Sequence, residues 1–414
     1  MADSYDVVIV GGGFGGGAMA TVLARAGKSV LVLEKSTVYR DLVRGEWIAP
    51  WGVVEANRTG LYDVLAAAGN RHHLTRHVEY GEGIDPAESE AAPLDMSTFL
   101  PGIPGPLCLG HPAACEALNA SAVAAGATVL RGVEGAVVTP GAAPSVSYVH
   151  DGAAHTVTAR IVLGADGRNS AVRGQLGIEL QRDTTHHFFS GMLVENAHGW
   201  PEDLQTSGTE GDIQFLAFPQ GGGRLRLYMS YGLDQKSRLS GEAGPQRFLD
   251  AFALKSVPYA AAITGATIAG PCNSIPNEDT WTVKPSVAGA VLIGDAAGYN
   301  DPIIGQGLSI TLRDVRIVSE LLLGAEDWSS LSFVPYAEER DERMRRLRFA
   351  ASIDSMLHAE FGERASRRRA IVRERRAKDP TYLLCLAGVM IGPEMLPPAA
   401  YSDAVWAEVE ALGA

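Results

Sequence analysis

Three glycines near the start of the chain have the spacing of a phosphate-binding turn. Gly11, Gly13 and Gly16 form a G-x-G-x-x-G motif directly after the apolar run 7–10 and before a helical stretch. The first glycine allows a tight turn, the second lets a pyrophosphate approach the backbone, and the third lets the helix pack closely on the strand. The acid Glu34 ends the next apolar run, where such folds bind ribose hydroxyls. The pattern predicts a dinucleotide site.

Two neighbours of this motif join the candidate cofactor-binding residues: Phe14 at the start of the helix and Lys35 directly after the acid. A helix that begins at the glycines would point its positive N-terminus at the phosphates. No second copy of the motif occurs, so we expect one tightly bound dinucleotide. A simple NAD dehydrogenase and an FAD enzyme both fit this observation, and later motifs decide between them.

Two further turns rich in glycine and aspartate follow along the chain. Residues 164–173 have the sequence GADGRNSAVR and contain Asp166. The second turn begins with GDAA, which contains Asp295, and continues as DPIIGQG over residues 301–307. Each turn alone is compatible with an ordinary loop. Three motifs in this order favour one nucleotide-binding fold.

With these motifs, over roughly residues 5–325, the chain resembles the single-component FAD-dependent aromatic hydroxylases, the monooxygenase family built like p-hydroxybenzoate hydroxylase. The resemblance implies bound FAD, with NAD(P)H as the transient reductant. Asp295 would hold the ribityl chain, and the segment around Asp166 would serve both FAD and NAD(P)H. The turn with Pro302, Gly305 and Gly307 would place a helix N-terminus against the pyrimidine edge of the flavin, where it stabilises negative charge.

The same resemblance assigns roles to three more residues. Arg44 would lie near the FAD phosphates, with Arg40 as an alternative. His111 would lie close to the flavin, and Val133 would belong to the strand whose backbone meets the adenine. The competing interpretations are a surface arginine, a structural histidine and a core valine.

The activity that the resemblance implies is hydroxylation of a phenolic or polyketide-like ring, with O2 activated as a flavin hydroperoxide. Substrate groups are expected on the sheet between residues 188 and 231. Along the strand 224–231, Arg226 and Tyr228 share a face opposite the apolar one, so both are candidates to orient a phenolate. Ordinary sheet packing is the alternative for each. No catalytic acid or base is assigned, and no metal site is predicted.

The chain departs from the family pattern at two positions. Gly298 stands where a histidine usually follows GDAA, and Ser309 replaces a common asparagine. Gly298 and the RGE sequence at residues 44–46 bring the chain closer to prenyl reductases and halogenases built on the same FAD fold. The aromatic tunnel motif of the prenyl reductases is loosely similar to FLAFP at residues 215–219. An FAD-dependent prenyl-lipid reductase is therefore the first alternative function. A non-catalytic binding protein on the FAD fold is the second.

Two other flavoprotein classes are disfavoured. A flavin halogenase needs a lysine in the first half of the chain, and none occurs between Lys35 and Lys236. A disulfide reductase needs a CxxC pair and a second dinucleotide domain, and the sequence has neither.

The motifs require a parallel layer to position them, and the apolar runs predict one. Residues 6–34 form one βαβ unit, residues 113–130 a helix and a strand, and residues 290–293 a returning strand. Alternation around PQGGG, over residues 213–218 and 224–231, predicts an antiparallel hairpin. The predicted fold class is α/β. It comprises a discontinuous Rossmann-like FAD-binding domain of the GR2 type (1–180 and 285–330), an antiparallel substrate-binding sheet (181–284) and a helical C-terminal region (331–414).

Composition sets the remaining expectations. The chain has 414 residues, 46% of them hydrophobic, and no apolar run that reaches the ~18 residues of a membrane span. A net charge of −13 argues against a nucleic-acid partner. The start lacks the pattern of a signal peptide. The four cysteines, at positions 108, 115, 272 and 385, lack disulfide or zinc spacing, so we expect free thiols in a reducing cytoplasm.

One segment reverses the acidic balance. Residues 338–378 hold thirteen Lys and Arg against eight Asp and Glu. A solvated helix face is one interpretation. A basic rim that steers an anionic substrate or a pyridine nucleotide is the other.

Overall fold

The structure is a computed structural model that describes residues 3–414. Within that range the chain forms twenty strands, arranged mainly in two large sheets. In chain order they are β1 (Ser4–Val10), β2 (Val30–Glu34), β3 (Trp47–Ile48), β4 (Arg76–Gly81), β5 (Leu94–Asp95), β6 (Leu107–Cys108), β7 (Thr128–Arg131), β8 (Glu134–Thr139), β9 (Ser145–His150), β10 (Ala153–Gly164), β11 (Gln181–Arg182), β12 (His187–Glu195), β13 (Leu204–Glu210), β14 (Ile213–Gly221), β15 (Arg224–Tyr231), β16 (Thr267–Ile268), β17 (Asn273–Asn277), β18 (Thr280–Trp281), β19 (Ser286–Val287) and β20 (Ala290–Leu292).

Thirteen α-helices occur over the same residues. In chain order they are α1 (Phe14–Arg25), α2 (Pro50–Arg58), α3 (Tyr62–Ala68), α4 (Pro86–Ala91), α5 (His111–Ala124), α6 (Ala171–Gln175), α7 (Gly244–Asp250), α8 (Ala260–Thr264), α9 (Gly307–Gly324), α10 (Val334–His358), α11 (Glu363–Lys378), α12 (Gly388–Ile391) and α13 (Asp403–Ala411).

The first sheet carries the glycine turns at the carboxyl ends of its parallel strands. Strands β20, β10, β1, β2 and β7 are adjacent and parallel, and β19, β9 and β8 add antiparallel pairings at the margins. Val8 and Leu31 pair across β1 and β2 and are fully buried, since parallel strands covered on both faces are continuous apolar runs. The predicted βαβ unit is confirmed by β1, α1 and β2.

The second sheet is antiparallel apart from one pairing and forms the wall opposite the nucleotide layer. Its order is β16, β12, β15, β14, β13, β4 and β5, with β17 also paired to β12. The predicted hairpin is confirmed by β14 and β15, where Phe215 pairs with Met229. Leu225, Leu227 and Met229 pack into the apolar core on one face of this sheet.

Strand β4 lies inside the range 1–180, yet it pairs in parallel with β13 of the second sheet. A lone short strand has no sequence pattern that names its partner, because the pairing is decided by tertiary packing. We therefore keep the predicted domain boundaries as a proposal with one amendment. The amendment assigns β4 and β5 to the substrate-binding sheet.

The C-terminal region is helical, as predicted, and the predicted α/β fold class is confirmed. Helix α10 crosses behind the GDAA turn, and α11 to α13 pack on its far end around Leu357, Val372 and Leu383. Among residues 3–414, none of the helices combines the length and the apolar character that crossing a bilayer requires.

Candidate functional site

A single large cavity runs between the two sheets and continues under the C-terminal helices. Its volume is about 2270 Å³, more than twice the upper end of the ~300–1000 Å³ of an ordinary small-molecule site. Of the predicted cofactor-binding residues, all but Gly16 line it. The cavity has room for a dinucleotide and a second molecule beside it.

The first glycine turn is built to hold an anion against its backbone. A Cβ on Gly11 or Gly16 would collide with the carbonyl oxygens of Ala165 and Gly11, respectively, so close approach requires glycine there. A Cβ on Gly13 would meet nothing within 4 Å, because this position faces the open cavity. Helix α1 starts at Phe14 with no acidic residue in its first turn. Its N-terminal positive charge is therefore available to a phosphate.

Glu34 lies at the end of β2, buried, and its carboxylate is already held by the backbone. Oε2 accepts a hydrogen bond from the Gly12 nitrogen at 2.6 Å, and Oε1 accepts one from the Ser36 nitrogen at 2.7 Å. Each oxygen keeps a free lone pair, so the predicted ribose contact remains a prediction. Lys35 lines the cavity beside it.

Residues 165–167 of the GADG segment line the cavity at the same end as the first glycine turn. Asp166 follows β10, and its carboxylate accepts hydrogen bonds from the Ser170 hydroxyl at 2.5 Å and the Val172 nitrogen at 3.1 Å. The carboxylate thereby anchors the start of α6. Val133 is buried between β7 and β8, and its backbone nitrogen donates to the Glu34 carbonyl at 3.0 Å. Asp166 and Val133, both predicted cofactor-binding residues, line the cavity.

The GDAA turn lies where the first sheet meets helix α10. Burial raises the pKa of Asp295, and the positive charges of Arg44, Arg168 and Arg340 oppose that rise. Arg340 of α10 donates to the carbonyl oxygens of Gly294 at 3.1 Å and Gly298 at 3.2 Å, which fixes the turn from behind. The sequence pattern contained no signal for this contact.

The structure also explains the missing histidine at Gly298. This residue has a φ of +129°, and a Cβ there would collide with the Thr280 carbonyl oxygen. Because β18 passes directly against the turn, a side chain does not fit. The departure from the family pattern is thus a packing requirement of this chain.

Beyond this turn, a short loop leads into helix α9. The loop contains Pro302 and Gly305, whose φ is +67°, and α9 begins at Gly307 with no acidic residue in its first turn. A Cβ on Gly307 would meet nothing within 4 Å, whereas one on Gly305 would lie 3.2 Å from the Trp47 ring. The helix N-terminus is therefore open to a ligand on one side and backed by Trp47 on the other.

Arg44 and His111 lie together at the middle of the cavity. Arg44 is exposed on the loop that follows β2, and its guanidinium makes no hydrogen bond or ion pair within residues 3–414. His111 begins α5, and its Nδ1 lies 3.3 Å from the Gly45 carbonyl oxygen. Burial and the charge of Arg44 lower the pKa of His111 to about 4, so the ring is neutral at pH 7.

The sequence predicts that Arg226 contacts the substrate, but the structure places it outside the cavity lining. Its side chain is 1% exposed and does not line the cavity, because its guanidinium is bound by two carboxylates of the Arg44 loop. Nε donates to Glu46 at 2.7 Å, and Nη2 donates to Asp41 at 2.6 Å. Burial disfavours the charge, but these carboxylates hold the pKa of Arg226 above its ordinary value. We call this contact the Arg226 clasp.

Tyr228 does line the cavity, on the predicted face. Its hydroxyl donates to the backbone carbonyl of Arg44 at 3.1 Å, which adds a second tether to the same loop. Burial raises the pKa of Tyr228, so the phenol stays protonated. Its ring stacks on Phe189 with centroids 5.1 Å apart and meets Phe218 edge-on at 6.0 Å.

These rings belong to an aromatic pocket that adjoins the Pro302 turn. It is lined by Trp47, Phe189, Leu216, Phe218 and Tyr228. The Trp47 and Phe218 rings lie 6.2 Å apart, and Trp47 also borders Gly305. Sequence reasoning named Tyr228 as a substrate group and Leu216 and Phe218 only within the FLAFP motif of the alternative function. It missed Trp47 and Phe189, because aromatic residues in strands are indistinguishable from core residues until the sheet is placed.

The site fits FAD on its own geometry. The glycine cradle at Gly13, two helix N-termini without acids, the unpaired guanidinium of Arg44 and the carboxylate of Asp295 line one elongated cavity. Within residues 3–414, no three or more histidine, cysteine, aspartate or glutamate side chains are arranged to hold a metal ion. The donor set suits a phosphate and a polyol attached to a flat ring.

A backbone-built nucleotide end joined to an aromatic pocket defines the class: an FAD-binding flavoprotein oxidoreductase. The chain belongs to the family described as FAD binding domain, which matches residues 4–348. The resemblance to the FAD-dependent hydroxylase fold is thereby confirmed, and so is FAD as the cofactor.

Individual relatives include proteins named as reductases and a protein named as a monooxygenase. The chain is 27% identical to a menaquinone reductase of Mycolicibacterium smegmatis, covering 78% of each chain. It is 24% identical to digeranylgeranylglycerophospholipid reductase 2 of Methanococcoides burtonii, covering 78% of this chain and 75% of that one. Among solved structures, p-nitrophenol 4-monooxygenase PnpA of Pseudomonas putida matches with a TM-score of 0.74 and 19% identity, over 95% of this chain and 97% of that one. The last likeness concerns the fold alone.

Proposed function

We propose that this protein is an FAD-dependent monooxygenase that uses NAD(P)H and O2 to hydroxylate an aromatic small molecule. The observation that carries the proposal is the aromatic pocket beside the Pro302 turn. Flat aromatic walls such as Phe189 and Phe218 favour a flat ring, through stacked and edge-on contacts worth about 0.5–1.5 kcal/mol each. Bound FAD would supply the redox chemistry, passing electrons from NAD(P)H to O2, which provides the transferred oxygen atom.

The protein's own part is to bind, orient and exclude water. Trp47, Leu216 and Phe218 form an apolar wall, so a ring bound against it is shielded from solvent. The start of α9 faces the same space with its N-terminal positive charge, which favours negative charge on the bound cofactor ring. Tyr228 is a protonated donor that already serves the Arg44 loop, so we assign it a positioning role.

The second candidate is reduction of a quinone or prenyl lipid. Two observations favour it: the sequence relatives with reductase names, and a further arm of the cavity with apolar walls from Leu357, Val372 and Leu383. Such an arm suits an extended apolar chain.

Free thiols at all four described cysteines support the reducing cytoplasm that we propose for either activity.

The experiment that separates the two candidates uses the FAD-loaded protein with NADH or NADPH. We expect a phenol panel that includes p-nitrophenol to accelerate NAD(P)H oxidation in air, and a hydroxylated product that carries one oxygen atom from ¹⁸O2. Anaerobic turnover of menaquinone or a geranylgeranyl lipid, with no labelled product, would instead establish the reductase.

A pair of variants ties the activity to the aromatic pocket. Leu216→Trp fills the pocket and should abolish the acceleration by the phenol while FAD stays bound. Leu323→Trp, at a 41% exposed position on α9, is the matched control and should behave like the unmodified protein. Equal acceleration in both variants would remove the pocket from the proposal.

A further inference from the structure

The cavity does not end at the aromatic pocket. It continues between β4 and the helices α10 and α11, into a space that we call the C-terminal compartment. This compartment is lined by His77, Asp354, His358, Arg373 and Arg376 on its polar side and by Leu357, Val372 and Leu383 on its apolar side. It lies outside the three nucleotide motifs and uses residues that none of them predicts.

One hydrogen-bonded path joins this compartment to the aromatic pocket. The Trp47 indole nitrogen donates to Gln205 Oε1 at 3.0 Å, and Gln205 Nε2 lies 3.3 Å from His77 Nδ1. On the other wall, Val389 packs in the same apolar cluster as Ile303 of the Pro302 turn. A ligand whose ring lies beside Trp47 can therefore extend past His77 without leaving the cavity.

The two histidines of the polar side, His77 and His358, are neutral where that side meets the apolar surface. Burial lowers the pKa of His77 and of His358 to about 4, so both rings are uncharged at pH 7. His358 Nδ1 lies 3.3 Å from Asp354 Oδ1, and its Nε2 lies 3.9 Å from Glu79 Oε1. Burial and Glu79 raise the pKa of Asp354 to about 7, so half of its charge is lost at neutral pH.

Helix α11 supplies free positive charge at the mouth. Arg373 and Arg376 make no hydrogen bond or ion pair within residues 3–414, although both line the cavity. Their neighbour Arg369 is engaged, since it donates to the carbonyl oxygens of Leu357 at 3.1 Å and Glu360 at 2.9 Å. Two unpaired guanidinium groups at the end of an apolar channel form a receptor for an anion.

We propose that the C-terminal compartment binds the far end of an extended, polycyclic aromatic acid, with its carboxylate on Arg373 and Arg376. The inference rests on the proposed function, because it names the substrate class of the same cavity. Glu79 and Asp354 lie beside His358, so that part of the compartment repels an anion and the arginines of α11 attract it. A ligand that reaches both the aromatic pocket and these arginines has to extend along the path from Trp47 through Gln205 to His77, which favours several rings over one.

The test measures binding rather than turnover, so it can fail or succeed independently of the hydroxylase proposal. Equilibrium dialysis of the FAD-loaded protein compares 8-anilinonaphthalene-1-sulfonate with N-phenyl-1-naphthylamine, which has the same rings without the anion. Arg373→Gln combined with Arg376→Gln should weaken binding of the sulfonate about tenfold or more and leave the neutral probe unchanged. Arg367→Gln removes one positive charge of α11 that does not line the cavity, where Arg367 pairs with Glu363, and should change neither.

A second arm separates the substrate anion from the phosphates of NAD(P)H, which are anions as well. We expect the double variant to keep the unmodified NADPH concentration dependence of anaerobic flavin reduction. A weakened response of the double variant to NADPH with unchanged sulfonate binding would overturn the proposal. Equal losses of affinity for the sulfonate and the neutral naphthylamine would also overturn it, and so would a failure of the unmodified protein to bind the sulfonate.

Discussion

At its nucleotide end the cavity is lined by backbone groups of three turns, whereas at its C-terminal end it is lined by side chains from strands and helices that are far apart in sequence. Gly13 and Gly307 border open space at the starts of α1 and α9. The C-terminal compartment instead presents imidazole and guanidinium groups from β4, α10 and α11. The first end suits the phosphates of a dinucleotide, and the second suits a ligand that is selected by side chains.

The two ends of the cavity also differ in the source of their positive charge. Anion binding at the nucleotide end depends on helix N-termini, whose partial charge no side-chain substitution removes. Anion binding at the other end depends on two guanidinium groups that point mutation can delete. The middle of the cavity, where the Arg226 clasp holds the Arg44 loop, combines both kinds of construction.

The largest expected effect comes from a methyl group at the nucleotide end. Gly16→Ala places a Cβ on the Gly11 carbonyl oxygen. Because backbone atoms cannot move aside, the substitution should lower the free energy of unfolding by more than the ~1–3 kcal/mol of ordinary overpacking. Thermal unfolding of the protein without FAD measures this loss. Gly13→Ala is the matched control: its Cβ meets no protein atom, so the protein should stay folded but retain less FAD. Equal stability of the two variants would contradict a backbone-built turn.

The second-largest effect is expected from removing the Arg226 clasp. Arg226→Ala leaves the carboxylates of Glu46 and Asp41 without their buried partner, which should cost about 3–5 kcal/mol in the free energy of unfolding and weaken FAD binding through the Arg44 loop. Urea unfolding and FAD titration measure the two effects. Arg224→Ala, on the same strand with a 49% exposed pair to Glu195, should cost at most about 1 kcal/mol. A comparable loss in both variants would show that the clasp has no special role.

A pH series tests the C-terminal end. The folded protein holds a proton on Asp354 up to a pKa of about 7, while the unfolded chain releases it near 3.8, so this group lowers stability as the pH rises from about 4 to about 7. Asp354→Asn removes that loss. Its stability relative to the unmodified protein should therefore increase by up to about 1.4 kcal/mol per pH unit across the window. His77 and His358 contribute the opposite pH dependence, and they do so in both proteins. If the difference in stability between the two proteins does not change with pH, Asp354 is solvated in the folded protein.

The smallest expected effect concerns the second tether of the Arg44 loop. Tyr228→Phe removes the hydrogen bond to the Arg44 carbonyl and keeps the aromatic wall, so FAD affinity should fall by about 0.5–1.5 kcal/mol, measured by fluorescence titration. Tyr231→Phe, whose hydroxyl donates to Ser274 at 3.1 Å on the other face of β15, should leave FAD affinity unchanged.

Much of the nucleotide end could be predicted because its information is local. β1, the glycine turn and α1 lie within consecutive residues, and periodicity and glycine spacing are visible without any tertiary contact. The predicted helix of residues 113–125 and the hairpin around PQGGG were found for the same reason and are confirmed by α5, β14 and β15. The alternation along β15 also placed Tyr228 on the correct face.

The remaining features depend on contacts between distant segments. Arg226 reaches Glu46 across 180 residues and Asp41 across 185, and these contacts convert a predicted substrate group into a structural tether. Strand β4 has no local signal for the second sheet, and the residues that line the C-terminal compartment look like an ordinary basic helix face when read along the chain.

The sequence by itself determined the cofactor and the layer that binds it, since a phosphate cradle requires glycine at exact spacing within one turn. Only the tertiary structure decided which charges are paired and which are free. Of the thirteen Lys and Arg in residues 338–378, Arg340 is buried against the GDAA turn, while Arg373 and Arg376 face the cavity unpaired. Pairing depends on which chain segments burial brings together, and hydrophobic packing of the whole chain sets that arrangement.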